Sequence, residues 1–445
     1  MTKRFASLRN DNLRILAENE TTSNDTWETG RNNNDLIIGP TGSGKTRGYV
    51  KPNLLEASES LIITDTKGNL FDQMKDALED AGYEIQLLDF TRPERSIGYN
   101  PFDFIGYDSE TGEYDQKDIA TMAKALYSEG KSRMTSDPYW DEAAEGLLRS
   151  MISCLLETTV EEDHSIEALG RLLEKVEAKD DCSGDDSQYA RLMMKLRAKN
   201  PQSYAATQYF SVIEERAQKT TSCVKMILGA QLTQLTNKEL TRILSRTERV
   251  NLRRLANRKT ALFLVISDMD RSQDKLANLF YCQALQDLCR YADRECTDNC
   301  LPVPVRFILD DFATNACIPN FDKQISVIRS RGISVSIILQ SMTQLENMYG
   351  DKAAYTIING CDTMLYMGGQ DLSTAHYIGT RTDQSDYNIL SLPLDKSWLI
   401  IRGQEPRLVS NYKLEDHPRY MKLPEAVEAV TKATGPESDT DEIER

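Results

Sequence analysis

Apolar and polar positions along the chain fall into two regimes. Short apolar runs of strand length recur at 36–38, 60–65 and 83–89, each followed by a polar turn or a helical stretch. That order predicts strand–loop–helix–strand–helix–strand, which implies a parallel sheet with helices on both faces. The helix predicted over 69–81 stops at Gly82, the residue type that best tolerates a left-handed turn at a helix end. Past Tyr99-Asn100-Pro101-Phe102 the strand pattern ceases. From about 115 to 257 apolar residues recur only at helical spacing, as in Leu147, Leu148, Met151, Ile152, Leu155 and Leu156, or Ile166, Leu169, Leu173 and Val176. No ordinary connection is that long, so this block is predicted as an all-alpha insertion. Strands resume at 260–267, 303–309, 333–339, 363–367 and 398–401, with helices over 276–294 and 320–329.

The first strand runs straight into a motif with its own chemistry. Gly39, Pro40, Thr41, Gly42, Ser43, Gly44, Lys45 and Thr46 fit G-x-x-x-x-G-K-[ST] at every specified position. The two inner glycines let the backbone curl so that its N–H groups face phosphate oxygens. Lys45 reaches the β- and γ-phosphates, and the Thr46 hydroxyl ligates Mg²⁺. The positive end of the following helix faces the same anion. The spacing therefore predicts binding of a nucleoside triphosphate. Pro52 falls seven residues after the lysine, and is expected to end or kink that helix early.

Composition narrows the class. With 445 residues, 40% hydrophobic and 27% charged, the chain suits one large globular domain or two to three ordinary ones. No apolar run approaches the roughly 18 residues that would cross a bilayer, and no secretory signal is visible at the start. The nine scattered cysteines suit reduced thiols, hence a cytoplasmic setting. Cys296 and Cys300 form a close pair, but none of the three histidines lies near them, which argues against zinc. A net charge of −16 opposes general phosphate binding, so any contact with DNA must be local. The stretch 425–445 is polar, acidic and expected to be mobile.

Two further strands end in chemistry. Val305-Arg306-Phe307-Ile308-Leu309-Asp310-Asp311 is an apolar strand closing on carboxylates, expected beside the P-loop strand. There Asp310 serves the metal, directly or through water, and Asp311 orients the attacking water. Ile337-Ile338-Leu339-Gln340 is a strand ending in an amide that can sense the γ-phosphate. Arg329 and Arg331 lie between these strands, where an arginine can act on a neighbouring subunit's γ-phosphate.

Five segments, "IIGPTGSGKTRGYVKPNLL", "LIITDTKGNLF", "YNPFDFI", "ILDDFATNACIPNFDKQISVIRSRGISVSIILQ" and "NGCDTMLYMGGQDLSTAHYIG", arrive in one order. From about 30 to 415 the chain resembles the TraG/TraD family, the coupling proteins of conjugative type IV secretion. The resemblance implies a RecA-like P-loop ATPase with an inserted all-alpha domain, using ATP and Mg²⁺. It divides the chain into an N-terminal arm (1–34), a nucleotide-binding domain (35–114 and 258–424), the insertion (115–257) and the acidic tail (425–445). It implies a ring, expected to be a hexamer, that recruits a relaxase and drives the transferred DNA through the secretion channel at the inner face of the membrane, while the acidic balance of the chain suggests weakly associating subunits that are monomeric in isolation. Lys45 and Thr46 carry over as nucleotide and Mg²⁺ residues, Asp310 as the second-motif acid, Gln340 as the sensor, and Arg329 ahead of Arg331 as the arginine finger. Two features depart from the family. Asp310-Asp311 stands where Asp-Glu is usual, which leaves a shorter acid to reach the water. The two membrane helices with which members usually begin are missing, as in a piece of a longer protein or a naturally membrane-free member. Two alternatives remain: a DNA pump of the FtsK/HerA type, and a nucleotide-gated docking platform for protein substrates.

Overall fold

The structure, a computed structural model, describes residues 12–427 other than 67, 128–137, 177–186, 214–217, 268, 271–272 and 313–316. The acidic tail expected over 425–445 therefore lies almost wholly outside the described residues. The strands are β1 (Leu13–Ala17), β2 (Glu20–Ser23), β3 (Asp35–Ile38), β4 (Ser60–Asp65), β5 (Glu84–Asp89), β6 (Tyr107–Asp108), β7 (Glu113–Tyr114), β8 (Thr260–Val265), β9 (Val305–Leu309), β10 (Ile333–Leu339), β11 (Thr363–Tyr366), β12 (Lys396–Ile401) and β13 (Arg407–Ser410).

Nine of them form one sheet in the order β13-β12-β11-β3-β10-β9-β4-β8-β5. The seven from β11 to β5 run parallel, and β12 and β13 add an antiparallel edge. Helices cover both faces, so alternate residues of one strand enter opposite cores: Leu36 and Ile38 join one, Ile37 the other. This is why these strands read as unbroken apolar runs. The β13 edge was not expected, because Arg407-Leu408-Val409-Ser410 is too short and mixed to stand out from its neighbours.

Three expectations need correction. First, β9 does not lie beside the P-loop strand: β10 stands between β9 and β3. Second, the helix expected over 320–329 is a short helix, Phe321–Gln324, and a separate 3-10 turn, Ile328–Arg331. Third, Pro52 neither ends nor breaks the helix after the P-loop. Thr46–Val50 is wound as a π-helix, and the chain continues as an α-helix over Lys51–Glu56 with Pro52 in its first turn. A proline is tolerated in a first turn because its missing N–H has no partner to lose there. The wider turn ahead of it, closed by Lys51 N–H on the Thr46 carbonyl, effectively starts the helix anew. Asn53 then holds the helix to β1, exchanging hydrogen bonds of 2.9 and 2.8 Å with the Ile15 backbone.

Residues 13–34 thus do more than lead into the sheet. β1 buries Ile15, Leu16 and Ala17, the Glu18 N–H of the β1–β2 hairpin donates to the Ser410 carbonyl of β13 at 3.0 Å, and a one-turn helix, Thr26–Thr29, follows. Between β5 and β8 the chain makes a long excursion. From 116 to 257 the described residues form eight α-helices, one 3-10 turn (Glu161–Asp163) and no strand, from Gln116–Tyr127 to Leu252–Asn257. The excursion leaves and returns at one point, where Gly98 N–H donates to the Glu248 carbonyl (2.7 Å) and Val250 N–H to the Gly98 carbonyl (2.9 Å). A Cβ on Gly98 would sit 3.0 Å from the Glu248 carbonyl oxygen, so this neck requires glycine. Helix Gln116–Tyr127 also packs on the helix Asp274–Glu295, with an Asp118–Arg290 ion pair of 2.6 Å.

Candidate functional site

Parallel strands deliver their carboxyl ends to one edge of the sheet, and the predicted residues gather there. The loop after β3 turns at Gly42 (φ 84°) and Gly44 (φ 88°), both left-handed, as a curled phosphate cradle requires. Its base is fixed by Gly39 N–H donating to the Leu339 carbonyl at 3.1 Å, and Met367 packs beneath it. A Cβ on Gly39 would lie 2.5 Å from Ser43 Oγ and 3.1 Å from Met367 Cβ, so a larger residue there would have to displace the packing of the loop. Pro40, Thr41 and Gly42 are exposed at its rim.

Lys45 is buried, and its Nζ donates to the Gly39 (2.6 Å) and Pro40 (3.0 Å) carbonyls. Burial lowers its pKa, against the pull of Asp311 and Asp310. Thr46 Oγ1 donates to Asp310 Oδ2 at 3.0 Å, and Asp311 N–H donates to Asp310 Oδ1 at 3.1 Å. Burial, then the neighbouring Asp311 charge, raises the Asp310 carboxyl to about 6. A hydroxyl and a carboxylate so placed form a hard-oxygen pair of the kind that holds Mg²⁺ together with phosphate oxygens and water. Asp311 adopts a left-handed backbone (φ 49°), which aspartate tolerates better than most residues. Gln340 ends β10 at the same edge, its backbone N–H donating to Gln344 Oε1 at 3.0 Å.

The structure thus brings Lys45, Thr46, Asp310, Asp311 and Gln340 to one end of the sheet. Arg329 is not among them. It lies exposed before the amino end of β10, whose carboxyl end carries Gln340. Seven strand residues separate the two, about 23 Å at strand rise. Its guanidinium donates to the Thr26 carbonyl at 3.1 Å. Arg331 is held by Asp293 through two bonds of 2.9 and 2.8 Å.

Sequence reading missed a buried charged network beneath the P-loop helix. Tyr49, three residues past Thr46, donates its hydroxyl to Asp35 Oδ2 at 2.5 Å. Asp35 also faces Arg14 at 2.7 Å and Arg306 at 3.5 Å, and Arg306 reaches Glu59 at 2.6 Å. Although burial opposes its charge, Glu59 and Asp35 keep the Arg306 pKa above the usual arginine value. The signal was present: Arg306 is a charge inside an otherwise apolar strand. A second omission is the C-terminal segment, whose Glu425 bridges Arg47 (2.7 Å) and Lys51 (2.9 Å) on the P-loop helix.

This sheet and this edge are those of a RecA-like P-loop fold, with the acid strand one place removed from the P-loop strand. The chain belongs, more narrowly, to the family described as Type IV secretory system Conjugative DNA transfer, which matches residues 3–385. It is 23% identical over 354 residues to protein VirD4 of Rhizobium radiobacter, covering 78% of this chain and 48% of that protein. It is 22% identical over 355 residues to VirD4 of Agrobacterium fabrum (strain C58 / ATCC 33970), covering 78% and 49%. The chain therefore spans about half the length of the curated relatives it matches. Among solved structures it is similar to the bacterial conjugative coupling protein TrwBdeltaN70, with a TM-score of 0.65, 15% identity, and coverage of 93% of this chain and 92% of that one. TrwB in complex with ADP and Mg²⁺ gives a TM-score of 0.61 at 16% identity, with 85% of each chain covered. Among the described residues, no helix is long and apolar enough to cross a membrane.

Proposed function

We propose that this chain is the ATP-driven motor part of a conjugative coupling protein. The observation that carries this reading is the Thr46–Asp310 contact beside a buried Lys45, which supplies a metal pair and a phosphate cation at one sheet edge. In this reading Gly39, Pro40, Thr41, Gly42, Ser43 and Gly44 wrap the phosphates of ATP, and Lys45 neutralises the terminal ones. Thr46 and Asp310 hold Mg²⁺, which when bound draws charge from the leaving phosphates. Asp311 positions water, Gln340 senses the γ-phosphate, and Arg329 acts on the nucleotide of the next subunit. That division of labour needs a ring, which we take to be a hexamer assembled from subunits that are monomeric when isolated. The work would move a relaxase-bound DNA strand into a type IV secretion channel at the inner face of the membrane. The helices of 115–257 form a separate domain that selects the substrate, beside a nucleotide-binding domain of 35–114 and 258–424. The TrwB structures with ADPNP and with ADP and Mg²⁺ support the choice of nucleotide and metal.

The test is hydrolysis by the purified chain with and without single-stranded DNA. Stimulation by DNA, lost in Lys45→Ala, is the expected result. Turnover unchanged in Lys45→Ala would remove the P-loop from the mechanism. A second reading, a nucleotide-gated platform for protein substrates with little turnover, draws on the short side chain and constrained backbone of Asp311. Nucleotide binding without turnover under any condition would favour it.

A further inference from the structure

The amino ends of the strands, opposite the P-loop, enclose a cavity of about 720 Å³ lined in part by Asn12, Asn24, Asp25, Trp27, Arg329 and Ser330. Trp27 stands at its lip with 83% of its surface exposed. A lone exposed aromatic residue means little. This one is held with some care. Its one-turn helix is capped by Asp25, whose Oδ1 accepts from Trp27 N–H (2.8 Å) and Glu28 N–H (3.3 Å), and is closed by the left-handed Gly30. The turn follows Asn24, which accepts from Arg14 at 2.6 Å within the buried network. Arg329 is bonded to this same turn through the Thr26 carbonyl. The arginine and the turn that carries the indole are therefore held together at the rim of one cavity.

We infer that Trp27 stacks on the base of the nucleotide held by the P-loop of a second copy, while Arg329 reaches its terminal phosphates. The inference rests on the ring reading above and adds to it a base contact made in trans. Three observations favour a second copy as the occupant. The finger arginine lies about 23 Å of strand away from its own phosphate site. An exposed P-loop rim stands at one end of the sheet and an open cavity at the other, which suits repeated head-to-tail contacts that close a ring. The cavity wall beside Trp27 is lined in part by Asn12, Asp25 and Ser330, polar residues suited to ring nitrogens and ribose hydroxyls rather than to a hydrophobic partner.

The experiment uses ATP carrying an N-methylanthraniloyl group, which accepts excitation from tryptophan, and a single-stranded oligonucleotide to promote assembly. Copies with Lys45→Ala keep Trp27 but lose nucleotide; copies with Trp27→Phe keep nucleotide. Their mixture should show more sensitised emission than a mixture of Trp27→Phe with the Lys45→Ala/Trp27→Phe double variant. In separate turnover assays Trp27→Ala should raise KM for ATP roughly tenfold with kcat largely kept, and Trp27→Tyr should restore most of it, as stacking allows. Equal emission from the two mixtures, while Arg329→Ala still abolishes DNA-stimulated turnover, would overturn the base contact and leave the ring reading intact. Full turnover in Arg329→Ala, with no emission gain, would overturn both.

Discussion

Thr46 and Asp310 meet at 3.0 Å although the strands that deliver them are not neighbours. β10 runs between β3 and β9, so the pair spans the strand that ends in Gln340.

Asp310 lowers the stability of the folded chain when it is ionised. Its folded pKa, about 6, lies above the 3.8 of a free carboxyl. Between those values the folded state keeps a proton that the unfolded chain has released, so stability falls as pH rises through the window. Asp310→Asn should therefore stabilise the metal-free protein at pH 7.5 by about 2 kcal/mol, allowing for its partial exposure. The gain should vanish near pH 4. Thermal melts in EDTA at the two pH values check the sign.

Asp311 is short for its assigned task and sits in a left-handed backbone. Asp311→Asn should lower DNA-stimulated turnover at least tenfold if the carboxylate handles the water. Asp311→Glu should raise basal turnover by lengthening the reach, while costing about 1 kcal/mol of stability at that φ. A turnover rate indifferent to both substitutions would move the role elsewhere.

The two candidate arginines should separate cleanly. Arg331→Ala removes a part-exposed pair with Asp293, and should cost no more than about 1 kcal/mol of stability with turnover kept. Arg329→Ala should leave nucleotide binding intact and reduce turnover by about a thousandfold. Adding Lys45→Ala copies, which supply Arg329 but bind no nucleotide, should partly rescue it.

Beneath the P-loop helix, Asp35→Asn should be among the most destabilising single changes. It removes the carboxylate that faces both Arg14 and Arg306 and leaves buried cations short of a partner, costing about 3 kcal/mol or more. Urea unfolding measures this directly. A loss under 1 kcal/mol would mean that Glu59 alone balances the pair.

The fold and the P-loop were legible in the sequence because both rest on local signals. β3, β4 and β10 are fully buried runs, and the glycines of the loop are needed for backbone curvature at fixed spacing. What stayed hidden depends on partners distant in sequence. The order of β10 and β9 is set by pairing across the sheet. Pro52 proved harmless because of a π-turn that no local propensity announces. The Asp35–Arg306 contact joins residues that only the finished sheet brings together. Arg329 was singled out by its place between two motifs, whereas its bond to Thr26 is visible only in three dimensions.

The neck at Gly98 and Val250 bears on how the sheet forms at all. β5 and β8 are neighbours, yet a long stretch of chain lies between them. Closing a floppy loop of that length would oppose their pairing by roughly 4 kcal/mol and slow it. If the helices fold first, the neck draws the two ends together, and β8 finds β5 as though the loop were only a few residues long. The excursion then acts as a folding clamp for the edge of the sheet, and a chain interrupted within it would reach the nine-stranded state slowly even with every strand intact.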